Sequence, residues 1–161
     1  MSDISATVAN ELSRYYQEIA DTITELVAPL TDDQLWTRPY PYGNSIGHLL
    51  LHLTGNLSYY VGTEIAHTGY VRNRPLEFSD PSRQTKETVL KNFHGAIAMV
   101  RATLAEQKEN DWSAAYTAKG MEHGGTRFYA FLSCAAHLSH HRGQIIYLRK
   151  QLGDGNGSHG S

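Results

Sequence analysis

Two histidines of this chain, His137 and His141, have a spacing that suits the binding of one metal ion. They lie four residues apart in a segment that predicts an α-helix, so their imidazoles are neighbours on one face, with about 5–6 Å between Cβ atoms. A helical wheel places His141 close to the centre of the apolar face and His137 on its flank, whereas His140 faces solvent. A His pair at this spacing can bind a metal ion from a single helix.

A third ligand is needed, because a catalytic divalent ion generally takes three protein ligands and keeps one position open. The segment 46–66 also predicts a helix, and it contains His48 and His52. On its wheel His52 lies nearer to the apolar face than His48, and Asn56 is nearer still. We therefore expect His52 to complete the site and His48 to point elsewhere. The spacing is also compatible with core histidines that bind no metal.

The elements that must position these residues are predicted to be helices. Apolar residues at three- and four-residue spacing indicate four of them, over residues 4–28, 46–66, 84–107 and 127–152. The segments 69–81 and 110–125 have no clear period, and we expect long connections that line the pocket. We expect no β-strand, since in no segment do apolar and polar residues alternate convincingly.

The four predicted helices favour one four-helix bundle domain over residues 1–152, an architecture that can hold metal sites in its core. Residues 153–161 are rich in Gly and Ser and predict a disordered tail.

Composition narrows the class of protein. Sixteen acidic and fourteen basic residues give a formal net charge of −2, which argues against a nucleic-acid partner. No apolar run reaches the roughly 18–20 residues of a membrane span, so we expect no membrane partner.

The single cysteine, Cys134, excludes an intramolecular disulfide and a multi-cysteine zinc site. Its position on an apolar face predicts a small buried side chain, with a metal-bound thiolate as the alternative. With no signal-peptide pattern at the N-terminus, these features favour a cytoplasmic protein.

Two motifs resemble those of the DinB/YfiT-like superfamily. Residues 44–57, Asn-Ser-Ile-Gly-His-Leu-Leu-Leu-His-Leu-Thr-Gly-Asn-Leu, resemble the motif of its second helix. Residues 137–149, His-Leu-Ser-His-His-Arg-Gly-Gln-Ile-Ile-Tyr-Leu-Arg, resemble the motif of its fourth helix. The resemblance implies an all-α four-helix bundle of up-down-down-up order with long crossover loops. It also implies a divalent metal ion, zinc or nickel, held by His52, His137 and His141.

The resemblance implies several activities for that site. Members of the superfamily include thiol-dependent S-transferases, a thiol-dependent maleylpyruvate isomerase, and proteins described as metal-dependent hydrolases. A divalent ion on three neutral imidazoles would lower the pKa of a bound thiol or of bound water. No Asp or Glu lies between His48 and Tyr60, or between Phe128 and Leu152. The lack of a carboxylate base there favours transfer of a low-molecular-weight thiol to a small electrophile. The alternatives are a metal-dependent hydrolase and a non-catalytic metal-binding or interaction bundle.

Partners are expected to be a small-molecule substrate and a second copy of the chain. The superfamily resemblance implies a homodimer. Tyr16, Val27 and Leu90 lie off the main apolar stripes of their helices, and tyrosine, of which the chain has ten, is enriched at interfaces. The alternative is that these three residues only widen the stripe that faces the core.

Overall fold

Helices account for most of residues 3–154, the part of the chain that the computed structural model describes. The long ones are α1 (Ile4–Val27), α3 (Ile46–Leu57), α5 (Lys86–Ala105) and α7 (Arg127–Asp154). The short ones are α2 (Asp32–Trp36), α4 (Leu76–Ser79) and α6 (Glu109–Trp112). Two antiparallel strands, β1 (Ala115–Ala118) and β2 (Met121–Thr126), precede α7. Among the described residues, no helix is both long and apolar enough to cross a membrane.

Three of the long helices have a side-chain cap next to the predicted start of the helix. The hydroxyl oxygen of Ser45 accepts from the backbone N–H of His48 at 3.1 Å, and that of Thr85 accepts from Thr88 at 3.3 Å. Thr126 caps α7 in the same way by accepting from the backbone N–H of Tyr129. Such caps satisfy backbone donors that have no partner within the helix. The last helix extends to Asp154, so the first two residues of the predicted disordered tail 153–161 are helical, and the rest of that tail lies outside the described residues.

The core forms where α1, α3, α5 and α7 pack against one another. Tyr16 and Val27 of α1 are fully buried in it, and Leu90 of α5 packs against it. The buried Tyr16 hydroxyl donates to the carbonyl oxygen of Phe131 at 2.6 Å. The interpretation of these side chains as part of an outer interface is therefore wrong, and they widen the core-facing stripes instead.

The helix predicted over residues 46–66 changes its winding halfway. It is α-helical through Leu57 and continues as a π-helix over Ser58–Thr63. The backbone N–H of Ala66 donates to the carbonyl oxygen of Val61 at 2.9 Å, which is a bond across five residues. A wheel drawn at the α-helical period cannot detect this change, since the segment stays helical and apolar.

The expectation that the chain has no β-strand is wrong at residues 115–126. There β1 and β2 pair with Ala115 opposite Thr126 and with an irregular register between Tyr116 and Ala118. Gly120 lies in the connecting turn at a φ of +94°, which favours glycine. The strands are short and the register is interrupted, so the sequence lacks the alternation from which strands are predicted. The hairpin forms one wall of the site described next.

Candidate metal site

Three imidazoles from two helices meet at one point. His52 comes from α3, and His137 and His141 come from α7. Each offers one ring nitrogen, and these nitrogens lie within 4.8 Å of one another. The ring centroids are 5.0 Å apart for His52 with either partner and 4.5 Å apart for the α7 pair. The structure thus brings together the three residues that the sequence analysis selected.

A buried carboxylate orients the His52 ring. The Nδ1 atom of His52 lies 2.7 Å from Oε2 of Glu77, and both side chains are 6% exposed. Arg72 donates to the same carboxylate through Nε at 2.6 Å and Nη2 at 2.8 Å. Burial raises the pKa of Glu77, but the hydrogen bonds from His52 and Arg72 outweigh it and hold the pKa below its usual value. The ionised carboxylate accepts a hydrogen bond from Nδ1–H of His52, which leaves the lone pair of the ring on Nε2.

The two histidines of α7, His137 and His141, have environments that favour the neutral imidazole. The Nδ1 of His141 donates to Oε1 of Gln144 at 2.6 Å, so its Nε2 keeps a lone pair. Burial lowers the pKa of His141 to about 4. Burial, together with the neighbouring His141, lowers the pKa of His137 to about 4 as well. Both rings are therefore neutral near pH 7, the form in which imidazole binds metal ions.

The shortest contact in the group joins two ring nitrogens. The Nε2 atoms of His52 and His137 lie 2.9 Å apart. Since Nε2 of His52 carries a lone pair, this contact is a hydrogen bond only if Nε2–H of His137 donates to it. A cation shared by the two lone pairs would replace that proton. The donor set therefore fits a divalent ion that prefers nitrogen ligands.

Two neighbouring histidines do not belong to the group. His140 is exposed, as the wheel indicates. His48 is only 7% exposed, with its Nδ1 2.6 Å from the Ser45 hydroxyl and its ring against Trp36. His48 points away from the group, as predicted, but it is buried, because α3 packs against α2, α4, α5 and α7 on nearly all of its sides. A wheel distinguishes faces only when one of them meets solvent.

A cavity of about 230 Å³ opens beside His52 and His137. Asn56 lines it and is 6% exposed, and its Oδ1 has no hydrogen-bond partner among residues 3–154. Cys134 also lines it but is 1% exposed, and burial raises the pKa of its thiol to about 12. Cys134 is therefore a small buried side chain, as predicted, and it is not part of the histidine group.

Sequence reasoning missed the residues that hold His52 in place. Glu77 and Arg72 both come from the connection 69–81, in which no apolar period could be followed. Neither histidine motif contains a carboxylate, yet Glu77 reaches the site from α4. Its contact is with Nδ1 of His52, so it orients the His52 ring and does not line the cavity as a base.

Comparison with known proteins identifies the fold and the family. A conserved protein from Enterococcus faecalis is 18% identical with a TM-score of 0.73, over 89% of this chain and 96% of that chain. A DinB-like protein from Bacillus cereus ATCC 10987 is 15% identical with a TM-score of 0.70, over 88% and 91%. Comparison with curated protein sequences finds no match. The family model of the DinB superfamily matches residues 15–145. Because this match extends over most of the chain, the protein belongs to the DinB superfamily.

Proposed function

We propose that this protein is a metal-dependent enzyme in which His52, His137 and His141 hold a divalent ion, zinc or nickel. The observation that carries the proposal is the meeting of three imidazoles, beside a cavity, with ring nitrogens within 4.8 Å of one another. An ion bound there would supply positive charge and an open position that lower the pKa of a thiol or of water. Glu77 and Gln144 fix the ring orientations of His52 and His141 in advance.

We propose thiol-dependent S-transfer to a small electrophile as the reaction. The residues that line the inner cavity include no Asp or Glu; they are His52, Asn56, Tyr60, Arg72, Arg74, Gly120, Met121, Ser133, Cys134 and His137. A hydrolase of the zinc-peptidase type uses a carboxylate as general base, whereas a thiol ionises far more readily than water. Cys134 is unsuited to supply the thiol, since burial raises its pKa to about 12. The thiol is then an external low-molecular-weight compound.

Two other functions remain as alternatives, a metal-dependent hydrolase and a non-catalytic metal-binding bundle. A structural ion usually has four protein ligands, whereas a catalytic ion keeps one position open. Among the described residues the group has three members, which supports the enzyme.

The test begins with metal analysis of purified protein and of single alanine variants. We expect one equivalent of metal in the wild type and in the control variant His140→Ala, and loss of metal in His52→Ala, His137→Ala and His141→Ala. The loaded protein is then assayed with aryl halides plus thiols, and with aryl esters without thiol. Metal-dependent conjugation supports the proposal, and thiol-independent ester cleavage would favour the hydrolase. Stoichiometric metal with neither reaction would favour the non-catalytic bundle.

We further propose that residues 1–152 form one domain with its helices in up-down-down-up order. We also propose that the protein is a homodimer and acts in the cytoplasm. Apolar side chains on the outer face of α7 support association, since Phe128, Tyr129 and Leu132 are exposed by 40%, 53% and 47%. Light scattering tests the dimer, and a mass close to 17.9 kDa would contradict it.

A further inference from the structure

A larger cleft adjoins the inner cavity, which is the one beside His52 and His137. The cleft has a volume of about 760 Å³ and shares Tyr60, Arg72, Arg74 and Gly120 with the inner cavity. Ligand pockets usually have volumes of about 300–1,000 Å³, so the inner cavity alone, at about 230 Å³, is small. A ligand with one end beside the histidines would therefore place its remainder in the cleft.

Two hydrogen bonds hold one wall of this cleft in place. The hydroxyl of Tyr60 donates to the carbonyl oxygen of Lys119 at 3.2 Å, and the backbone N–H of Lys119 donates to the hydroxyl of Tyr59 at 3.2 Å. Consecutive tyrosines of the π-helix thus bind one residue of the hairpin turn. The wall is fixed before a ligand arrives, and it includes the ammonium-bearing residue Lys119.

The cleft has an excess of cationic groups. The charge of Arg72 is compensated by Glu77. Arg74 and Lys119 have no carboxylate at ion-pair distance among residues 3–154. Glu122 is the one acidic residue in the described lining of the cleft, and it accepts the backbone N–H of Gly120 at 2.7 Å. At the open end of the cleft, two cations, Arg74 and Lys119, thus face the one carboxylate of Glu122, and the net positive charge favours an anion.

At the junction of cavity and cleft, Arg74 lies over an aromatic ring. Its guanidinium lies 5.6 Å from the centroid of the Phe78 ring, and that ring lies 4.8 Å from the ring of His52. A cation–π contact of this kind attracts the guanidinium to the ring and leaves its N–H edge available. That edge matches a carboxylate, with which it forms two parallel hydrogen bonds.

We infer that the substrate thiol carries a carboxylate, which Arg74 binds with the help of Lys119 while the sulfur end enters the inner cavity. The inference rests on the proposed function and names its substrate class. The unpartnered Oδ1 of Asn56, 6% exposed, gives the inner cavity a hydrogen-bond acceptor for the same molecule. The carboxylate selects the thiol at the cleft, and the histidine site receives its reacting end.

The test is calorimetric binding of two thiols to zinc-loaded protein, 3-mercaptopropionate and the uncharged 2-mercaptoethanol. We expect the wild type to bind the carboxylated thiol about tenfold more tightly, equal to about 1.4 kcal/mol. In Arg74→Gln this preference should disappear, and in Arg74→Lys part of it should remain. The matched control is Arg83→Gln, which removes a positive charge from a different cavity and should keep the full preference.

The outcomes separate this inference from the function on which it rests. Equal affinity for the two thiols in the wild type would overturn the inference and leave thiol transfer intact. A preference that persists in Arg74→Gln would also overturn it, since the carboxylate would then bind elsewhere. Failure of every thiol to bind protein with stoichiometric zinc would instead contradict the proposed function. Absorption spectra of cobalt-loaded protein report whether sulfur reaches the histidine site.

Discussion

Nδ1 of His52 and Oε2 of Glu77 lie 2.7 Å apart, although the residues are 25 positions apart in sequence. Glu77 is on the short helix α4, within a connection that has little other regular structure. Because Arg72 binds the same carboxylate, the three side chains form a buried chain from the connection to α3. The connection is therefore a structural part of the histidine site.

Glu77→Gln should weaken metal binding by about 10–100-fold, the usual effect of losing a partner that orients a ligand. The amide keeps the shape of the side chain but lacks the charge that makes His52 a stronger ligand. Competition with a chromogenic chelator measures the affinity. Glu25→Gln, which changes an exposed carboxylate on α1, is the control. Equal affinities in the two variants would contradict the role of Glu77.

Metal binding should raise the melting temperature. His52 and His137 are 85 residues apart, so only the folded chain brings them together and binding energy becomes folding energy. At a free metal concentration of 100 times Kd the gain is about 2.7 kcal/mol, or roughly 5–10 °C for a chain of this size. Calorimetry with and without chelator measures it, and His141→Ala should abolish the difference. The same melting temperature in protein shown to have lost its metal would refute the linkage.

Two glycine-to-alanine changes should have opposite signs. A Cβ at Gly47 would lie 2.6 Å from Cε3 of Trp36, whose indole N–H is bound to the carbonyl oxygen of Gln84. Since the ring cannot move without breaking that bond, Gly47→Ala should cost about 1–3 kcal/mol of unfolding free energy. A Cβ at Gly95 of α5 meets nothing within 4 Å, so Gly95→Ala should gain about 0.4–1 kcal/mol. Urea unfolding measures both, and a loss at both positions would show that α5 is more crowded than the structure indicates.

Cys134 should be inert in the folded protein. Its side chain is 1% exposed, and burial raises the pKa of the thiol to about 12, so almost no thiolate is present at neutral pH. A thiol-specific chromogenic reagent should give no fast reaction in buffer and one equivalent in denaturant. Fast labelling of the native protein would show that Cys134 is reachable from the inner cavity, and would favour the alternative of a metal-bound thiolate.

The long helices and the histidine triplet were accessible from sequence because both depend on local periodicity. His137 and His141 share a face of α7 by spacing alone, and the apolar period locates α1 and α5. Selecting His52 depended on a wheel for α3, which is buried on nearly all sides, so the wheel did not reveal that His48 is buried as well.

The rest of the site depends on tertiary contacts that leave no local signal. Glu77 and Arg72 meet His52 only because the connection folds back over α3. The tyrosine pair and the hairpin turn likewise recognise each other across about sixty positions, through hydroxyl and backbone groups at Lys119. Propensity and spacing describe neighbours along the chain, so contacts of this kind require the folded structure.

The π-helix has a consequence for variation among related chains. In a π-helix each backbone hydrogen bond joins residues five apart, so a turn holds more residues than a turn of α-helix. Ser58–Thr63 is therefore equivalent to an α-helical turn with one residue inserted. Removing one residue there would return the segment to α-helical winding and rotate the remaining residues of this helix by about 100°. His52 lies before the segment and would keep its position, whereas the contact between Tyr60 and the hairpin would be lost. Insertions and deletions at this point can therefore reshape the cleft, and with it the choice of substrate, while α3 and α7 still supply the three histidines.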